Sequence, residues 1–200
     1  AKTTPAMALE KLKDGNAHFT GGKMVKRDLI KQAAAASGGQ FPIATVVACL
    51  DSRAAPEIVF DQGIGDIFVA RVAGNFVNED IIGSLEFGSK VVGAKLIVVV
   101  GHTDCGAIKG ACDNVQLGNL TTALAKIKPA IDAVPVDGSP RDSKNKAFVQ
   151  SVADMNVKLA VKQILDKSAV LKEMSDKGEI MVVGAMLDLK SGKVTFYDTN

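Results

Sequence analysis

The sequence predicts an α/β fold with a mostly parallel central sheet, made of four parallel strands and an antiparallel edge strand at the C-terminus. Four short apolar runs are rich in β-branched residues and do not alternate with polar ones, which is typical of strands buried on both faces. Segments with helical spacing separate these runs, and strands that alternate with helices form parallel sheets. Residues 190–193 predict a hairpin-like turn before the last strand.

The N-terminal part predicts a helical arm that precedes the sheet. Thr4 is a good N-cap and Pro5 suits the first helical position, so a helix should run from there to about Phe19. The chain up to residue 40 is then polar and rich in alanine, and a helical piece is expected within it. We therefore expect a single domain over residues 1–200, with residues 1–40 as the arm and residues 41–200 as the α/β core.

The core elements follow from the same patterns. The predicted strands cover residues 43–49, 67–71, 96–100, 180–187 and 194–197. The predicted helices begin at Pro56 and Ala107 and cover residues 78–92, 120–131 and 148–165. Residues 134–145 contain two prolines and a glycine, so a loop is expected there. The flanking helices would cover both faces of the sheet.

Composition excludes several classes of function. Hydrophobic residues make up 47% of the chain and charged residues 23%, which is ordinary for a globular protein. The net charge is +2 and the lysines are interleaved with acidic residues, so no nucleic-acid partner is expected. No apolar run approaches the roughly 20 residues that span a bilayer, so we expect no membrane insertion. The chain begins without Met, which predicts a periplasmic location if a signal peptide was removed and a cytoplasmic one otherwise.

Two turns that directly follow predicted strands carry the reactive side chains. The first holds Cys49, Asp51 and Arg53, and the second holds His102 and Cys105. Ligands of open α/β sheets bind at the carboxyl ends of strands, so these side chains converge if the two strands are neighbours. Two thiolates and one imidazole suit Zn²⁺, and a catalytic zinc site keeps a fourth position open for water. Asp51 is a candidate for that fourth position.

Structural roles remain open for the same residues. Cys49 at the end of an apolar strand could be a small buried hydrophobic residue. Asp51 could cap the following helix, and Arg53 could lie on the surface. Position and chemistry alone leave a metal site and these structural roles about equally open.

The pattern Cys49-x-Asp51-x-Arg53, followed later by His102-x-x-Cys105-Gly106, resembles the β-class carbonic anhydrases. Residues 65–75 and 84–87 also resemble blocks of that family, so the similarity covers nearly the whole chain. The resemblance implies that Cys49, His102 and Cys105 hold Zn²⁺. It implies an enzyme that interconverts carbon dioxide and bicarbonate, assembled as a homodimer or tetramer.

The resemblance also implies roles for the surrounding residues. Arg53 would hold Asp51 off the metal and keep it ionised, since a nearby cation favours the carboxylate. Asp51 would then accept a hydrogen bond from the attacking water. The substrate-binding residues implied by the family are Gln40, Phe68, Ala73, Phe87 and Gly106, with Arg71, Asn75 and Glu86 in supporting places. The chain has no Trp, which favours an open site over the closed form in which Asp51 binds the metal.

Three other functions are to be weighed against carbon dioxide hydration. A related zinc hydrolase could act on carbonyl sulfide or carbon disulfide, which resemble carbon dioxide in shape. A non-catalytic zinc-binding module would have its fourth position closed. A nucleotide-binding protein is disfavoured, because Gly106 is followed by Ala107 rather than by Lys and Ser or Thr.

Overall fold

The computed structural model describes residues 3–197 and confirms the predicted α/β architecture. A five-stranded sheet has the order β2-β1-β3-β4-β5, in which only β5 is antiparallel to its neighbour. The strands are β1 (Ala44–Cys49), β2 (Ile67–Val72), β3 (Leu96–His102), β4 (Met181–Leu187) and β5 (Val194–Phe196). The helices are α1 (Pro5–Thr20), α2 (Leu29–Ala36), α3 (Pro56–Val59), α4 (Glu79–Glu86), α5 (Gly106–Cys112), α6 (Gly118–Ala125), α7 (Lys128–Ala133), α8 (Lys146–Lys167) and α9 (Ala169–Asp176), and a π-helix (Phe87–Val92) continues α4.

The central strands β1 and β3 are buried along their whole length, as their unalternating apolar sequences predict. Successive side chains of a strand point to opposite faces. Val47 and Val99 therefore enter the larger apolar cluster, which α8 covers. Val46 and Val98 enter the smaller cluster, together with Leu12 of α1. This two-sided burial fixes the register of β1 and β3, on which the functional site depends.

The N-terminal arm begins as predicted and is fastened to the core by a buried carboxylate. The Thr4 side chain accepts a hydrogen bond from the backbone N–H of Met7, which caps α1. Asp61 of the core has an almost inaccessible side chain. Its carboxylate accepts hydrogen bonds from two residues of the arm, from the backbone N–H of Val25 at 3.0 Å and from the side chain of Arg27. His18 lies 3.2 Å from the same carboxylate. The arm is therefore held by charge-assisted hydrogen bonds, and His18 is engaged there.

Two helical segments differ from the prediction. Residues 120–131 form two helices rather than one, because Pro129 lacks the N–H that a continuous helix needs to reach the carbonyl of Ala125. The chain turns at Ile127, whose side chain is fully buried. Helix α9 was not predicted, and the Ser168 hydroxyl caps it by accepting from the backbone N–H of Leu171 at 3.1 Å.

Strand β3 is longer than predicted. Gly101 and His102 continue the strand and pair with Met186 and Leu187 of β4. A side chain at position 101 would lie 2.7 Å from Val157 of α8, so only glycine allows the helix to pack this closely. No helix within residues 3–197 is long and apolar enough to cross a membrane.

Asn16 joins the two ends of the chain and gives a test of the fold. Its side chain is 6% exposed, donates to the carbonyls of Val59 and Gly192 at 3.0 and 2.9 Å, and accepts from the N–H of Val194 at 2.9 Å. Asn16→Ala leaves these buried backbone groups unpaired and should lower the free energy of unfolding by about 2–3 kcal/mol. Urea denaturation measures this, with the exposed residue Lys11→Ala as control. Equal stability of the two variants would contradict the assigned role.

Candidate metal centre

The parallel pairing of β1 and β3 brings the three predicted ligands together. Cys49 is the last residue of β1 and His102 is the last residue of β3, so both lie at the carboxyl edge of the sheet. Cys105 follows a turn in which Asp104 has a φ of 57°, and it is the N-cap of α5. The three side chains are buried, and their ligand atoms lie within 4.8 Å of one another. The two sulfur atoms are 3.9 Å apart.

The imidazole of His102 is oriented for ligation through Nε2. Its Nδ1 lies 2.9 Å from the carbonyl oxygen of Thr103, which can only accept, so Nδ1 carries the proton and donates it. Nε2 is buried without a hydrogen-bond partner among the residues that the structure describes. A buried nitrogen left unpaired is costly unless an ion satisfies it. The hydrogen bond from Nδ1 is the usual way in which proteins orient a metal-binding histidine.

The two cysteines are not equivalent. A hydrogen bond from the Cys105 thiol, with a further one from the N–H of Gly74, lowers the pKa of Cys49 to about 4 although burial opposes this. The Cys49 thiolate and burial together raise the pKa of Cys105 far above its usual range. Without a cation the pair therefore shares a proton at neutral pH. A bound divalent ion would replace that proton and hold both sulfurs as thiolates.

The donor set fits a thiophilic ion such as Zn²⁺. Two sulfurs and one imidazole nitrogen are typical of zinc, and three protein ligands leave one position of a tetrahedron for solvent. Calcium and magnesium prefer oxygen ligands. The three residues can therefore hold a metal with one coordination position to spare.

Asp51 lies beside the three ligands and is held by Arg53. The Arg53 Nε donates to Oδ1 at 2.9 Å, its Nη2 donates to Oδ2 at 2.7 Å, and its backbone N–H donates to Oδ1 at 2.9 Å. These contacts hold the pKa of the Asp51 carboxyl far below its usual range, so it is ionised at neutral pH. The Oδ2 atom is 3.8 Å from His102 Nε2. Asp51 thus faces the cluster with both oxygens already bound by Arg53.

Arg71 fixes the turn that carries Cys49 and Asp51. Its Nε donates to the carbonyl of Cys49 at 2.9 Å, and its Nη2 donates to the carbonyl of Asp51 at 2.6 Å. Strand pairing explains this reach, since Arg71 of β2 lies opposite Ala48 of β1. From the sequence, Arg71 is expected only to support the site. Its contacts with the Cys49 and Asp51 carbonyls could not be predicted, because they depend on which strand lies next to β1.

Two of the predicted substrate-binding residues lie next to the ligands. Ala73 directly precedes Gly74, whose N–H donates to the Cys49 sulfur at 3.3 Å. Gly106 directly follows Cys105, begins α5 and is exposed. Both positions border the carboxyl edge of the sheet.

The other three predicted substrate-binding residues lie away from the ligands of the same chain. The rings of Phe68 and Phe87 are 6.3 Å apart and pack on each other. Phe68 pairs with Thr45, four residues before Cys49, which separates it from the ligands by about 13 Å along the sheet. Gln40 precedes β1 and is exposed. A single chain therefore does not bring Gln40, Phe68 and Phe87 to the metal centre.

Cys112 does not belong to the cluster. It is half-buried, and burial raises the pKa of its thiol to about 11. It lines a cavity of about 380 Å³ together with Leu124, Lys128 and Ile131. The thiol is therefore neutral at physiological pH and poorly reactive.

The fold and the site define an α/β protein with a buried cluster of two cysteines and one histidine that can hold a metal, flanked by a carboxylate–guanidinium pair. Comparison with known proteins identifies the family. A family model described as carbonic anhydrase matches residues 44–194. Carbonic anhydrase 2 of Mycobacterium tuberculosis is 31% identical, with 98% of this chain and 94% of that protein covered. The carbonic anhydrase of Mycolicibacterium smegmatis is 32% identical, with 96% and 93% covered.

Solved structures agree with this assignment. A β-carbonic anhydrase of Aspergillus fumigatus superimposes with a TM-score of 0.71 at 26% identity, covering 96% of this chain and 90% of that one. One of two tetrameric β-carbonic anhydrases of Sordaria macrospora gives a TM-score of 0.71 at 23% identity, with 97% and 95% covered, and supports the fold. The chain belongs to the β-class carbonic anhydrase family.

Metal binding should depend on pH in a defined direction. The raised pKa of Cys105 keeps its proton bound in the metal-free protein at neutral pH, whereas Cys49, with a pKa of about 4, has already lost its own. Binding must displace the Cys105 proton, so the dissociation constant for Zn²⁺ should fall at least tenfold for each unit that the pH rises from 6 to 8. The fall should be steeper at the acid end, where His102, whose pKa is raised by the neighbouring Cys49 although burial opposes this, must also lose a proton. Competition with a chromophoric chelator measures this. A constant affinity over that range would show that no proton is displaced.

Proposed function

We propose that the protein catalyses the zinc-dependent, reversible hydration of carbon dioxide to bicarbonate and a proton. The observation that carries the proposal is the buried cluster of Cys49, His102 and Cys105 beside the Asp51–Arg53 pair, in a chain of this family. Zn²⁺ held by these three ligands would act as a Lewis acid that makes a coordinated water acidic enough to serve as nucleophile near neutral pH.

The Asp51 carboxylate would orient the nucleophile. Because it is ionised, it can only accept hydrogen bonds, and Arg53 fixes the direction in which its oxygens point. It would accept a hydrogen bond from the attacking water, which would turn a lone pair of the water oxygen towards carbon dioxide. The commitment of both oxygens to Arg53 supports the open form, in which Asp51 accepts a hydrogen bond at the site and does not bind the metal.

The substrate pocket would be built from two copies of the chain. Ala73 and the backbone N–H of Gly106 would contact carbon dioxide or bicarbonate from the same chain as the metal. We assign Gln40, Phe68 and Phe87 to the pocket of a partner protomer, because they lie away from the ligands of their own chain. Exposed apolar side chains close in sequence to Gln40 and Phe87 support an interface there: Phe41 is 88% exposed, Ile30 of α2 81%, and Val91 of the π-helix 71%. A homodimer would be the smallest active unit, and a tetramer would be an assembly of such dimers.

The dimer is tested by a charge placed in the proposed interface. The wild-type protein should sediment at about twice the chain mass of 20.8 kDa or a multiple of that. Ile30→Glu should shift the population to monomer, because a carboxylate buried against apolar surface is strongly unfavourable, and hydration activity should fall with it. Lys26→Glu, on the exposed stretch before α2, is the matched control. A fully active wild-type monomer would contradict the two-copy pocket.

The catalytic assignment is tested by Asp51→Asn. The amide keeps the size of the side chain and removes its charge, so the protein should still bind one Zn²⁺ per chain. Its rate of carbon dioxide hydration should fall by a factor of about 10²–10⁴, as is usual for loss of a positioned proton-transfer group. Metal analysis and stopped-flow hydration with a pH indicator measure the two quantities on the same sample.

Asp132→Asn, an exposed carboxylate on α7, is the matched control and should behave as wild type. Normal turnover of Asp51→Asn would remove Asp51 from the mechanism. The same wild-type sample, assayed on carbonyl sulfide and carbon disulfide, separates the related hydrolase from a carbonic anhydrase. Stoichiometric zinc without turnover of any of the three gases would indicate a non-catalytic zinc module.

A further inference from the structure

We propose that Asn156 is a positioning residue for the metal centre and that it acts through Gly74. Asn156 lies in the middle of α8, is 4% exposed and belongs to none of the segments that carry the ligands. Its side-chain Nδ2 donates to the carbonyl oxygen of Gly74 at 2.8 Å. The N–H of Gly74 in turn donates to the Cys49 sulfur at 3.3 Å. The inference rests on the zinc centre proposed above.

Gly74 lies in a turn closed by the N–H of Asn75 on the carbonyl of Val72 at 3.2 Å, and Asn156 adds a hydrogen bond to this turn from another element. The φ of Gly74 is +86°, in the region that favours glycine, and a Cβ there would lie 2.6 Å from Ile127 Cδ1. Only glycine fits, but glycine is also free to leave this conformation at little cost. The hydrogen bond from Asn156 fixes the carbonyl of Gly74. The carbonyl and the N–H of Gly74 lie in adjacent peptide planes that meet at its Cα. Anchoring the carbonyl plane therefore restricts the φ and ψ of Gly74, which limits how far the N–H can turn away from the sulfur.

The N–H of Gly74 affects the sulfur in two ways. It fixes the position of the lone pairs that remain for the metal, and it withdraws electron density from the thiolate. Groups that hydrogen-bond to metal ligands commonly change metal affinity by about 10–100-fold. Because Asn156 acts one step further out, we expect the lower end of that range.

The experiment uses Co²⁺ as a spectroscopic probe in Asn156→Ala and Asn156→Leu. Leucine has the same number of side-chain heavy atoms as asparagine and no hydrogen-bonding group, so it removes the hydrogen bond without adding a charge or leaving a large cavity. Both variants should bind Co²⁺ about tenfold more weakly than the wild type. Their thiolate-to-cobalt charge-transfer band should move to longer wavelength, because a sulfur that has lost a hydrogen bond holds its electrons less tightly.

Asn16→Ala is the matched control for a purely structural role. Asn16 is also a buried asparagine that bonds to backbone groups, but it joins α1 to β5 and is remote from the ligands. It should lower the melting temperature and leave the cobalt spectrum and affinity as in the wild type. The proposal is supported if the Asn156 variants alone change the spectrum.

An unchanged cobalt spectrum in the Asn156 variants would contradict the proposal. Asn156 variants that lose stability like Asn16→Ala but keep the wild-type band and affinity would overturn the positioning role. If Asn156→Ala does not fold, Asn156→Leu decides between the two outcomes. A wild type that shows the thiolate band but hydrates no carbon dioxide would refute the proposed function and leave this inference standing.

Discussion

The structure depends on two buried sulfur atoms held 3.9 Å apart at the carboxyl edge of a parallel sheet. Two negative charges at that distance repel strongly in a poorly solvated site. The metal-free protein avoids this by retaining a proton on Cys105, and a divalent cation removes the conflict by taking its place. The Nε2 atom of His102, beside the sulfurs, has no hydrogen-bond partner within residues 3–197, and a bound cation would satisfy it as well. The site is therefore electrostatically incomplete without a metal.

The ligands and the neighbouring carboxylate are held in place by hydrogen bonds with surrounding groups. Arg71 of β2 binds the carbonyls of Cys49 and Asp51, and the carbonyl of Thr103, the next residue in the chain, orients His102. Arg53 orients the Asp51 carboxylate through hydrogen bonds and keeps it ionised, so it is in place before any substrate arrives. Such preorganisation avoids the cost of reorienting dipoles during the reaction.

The strands could be predicted from local sequence patterns, whereas the ligands could be predicted only when those patterns were combined with the resemblance to the β-class carbonic anhydrases. An unalternating β-branched run indicates a buried strand, and Cys49 and His102 end such runs. The contacts of Arg71 and Asn156 could not be predicted, because they depend on which strand and which helix lie beside β1 and Gly74. The break before α7 could have been read from Pro129. Phe68 and Phe87 are a different case, because the family pattern predicts pocket positions without saying which chain supplies them.

The assigned metal centre is tested most directly by X-ray absorption at the zinc edge on the purified, zinc-loaded protein. It predicts two sulfur scatterers at about 2.3 Å, one imidazole nitrogen at about 2.0 Å and a single further light atom. Cys105→Ser should reduce the sulfur count to one. A first shell made of oxygen and nitrogen only, or one unchanged by Cys105→Ser, would contradict the assignment of the metal centre.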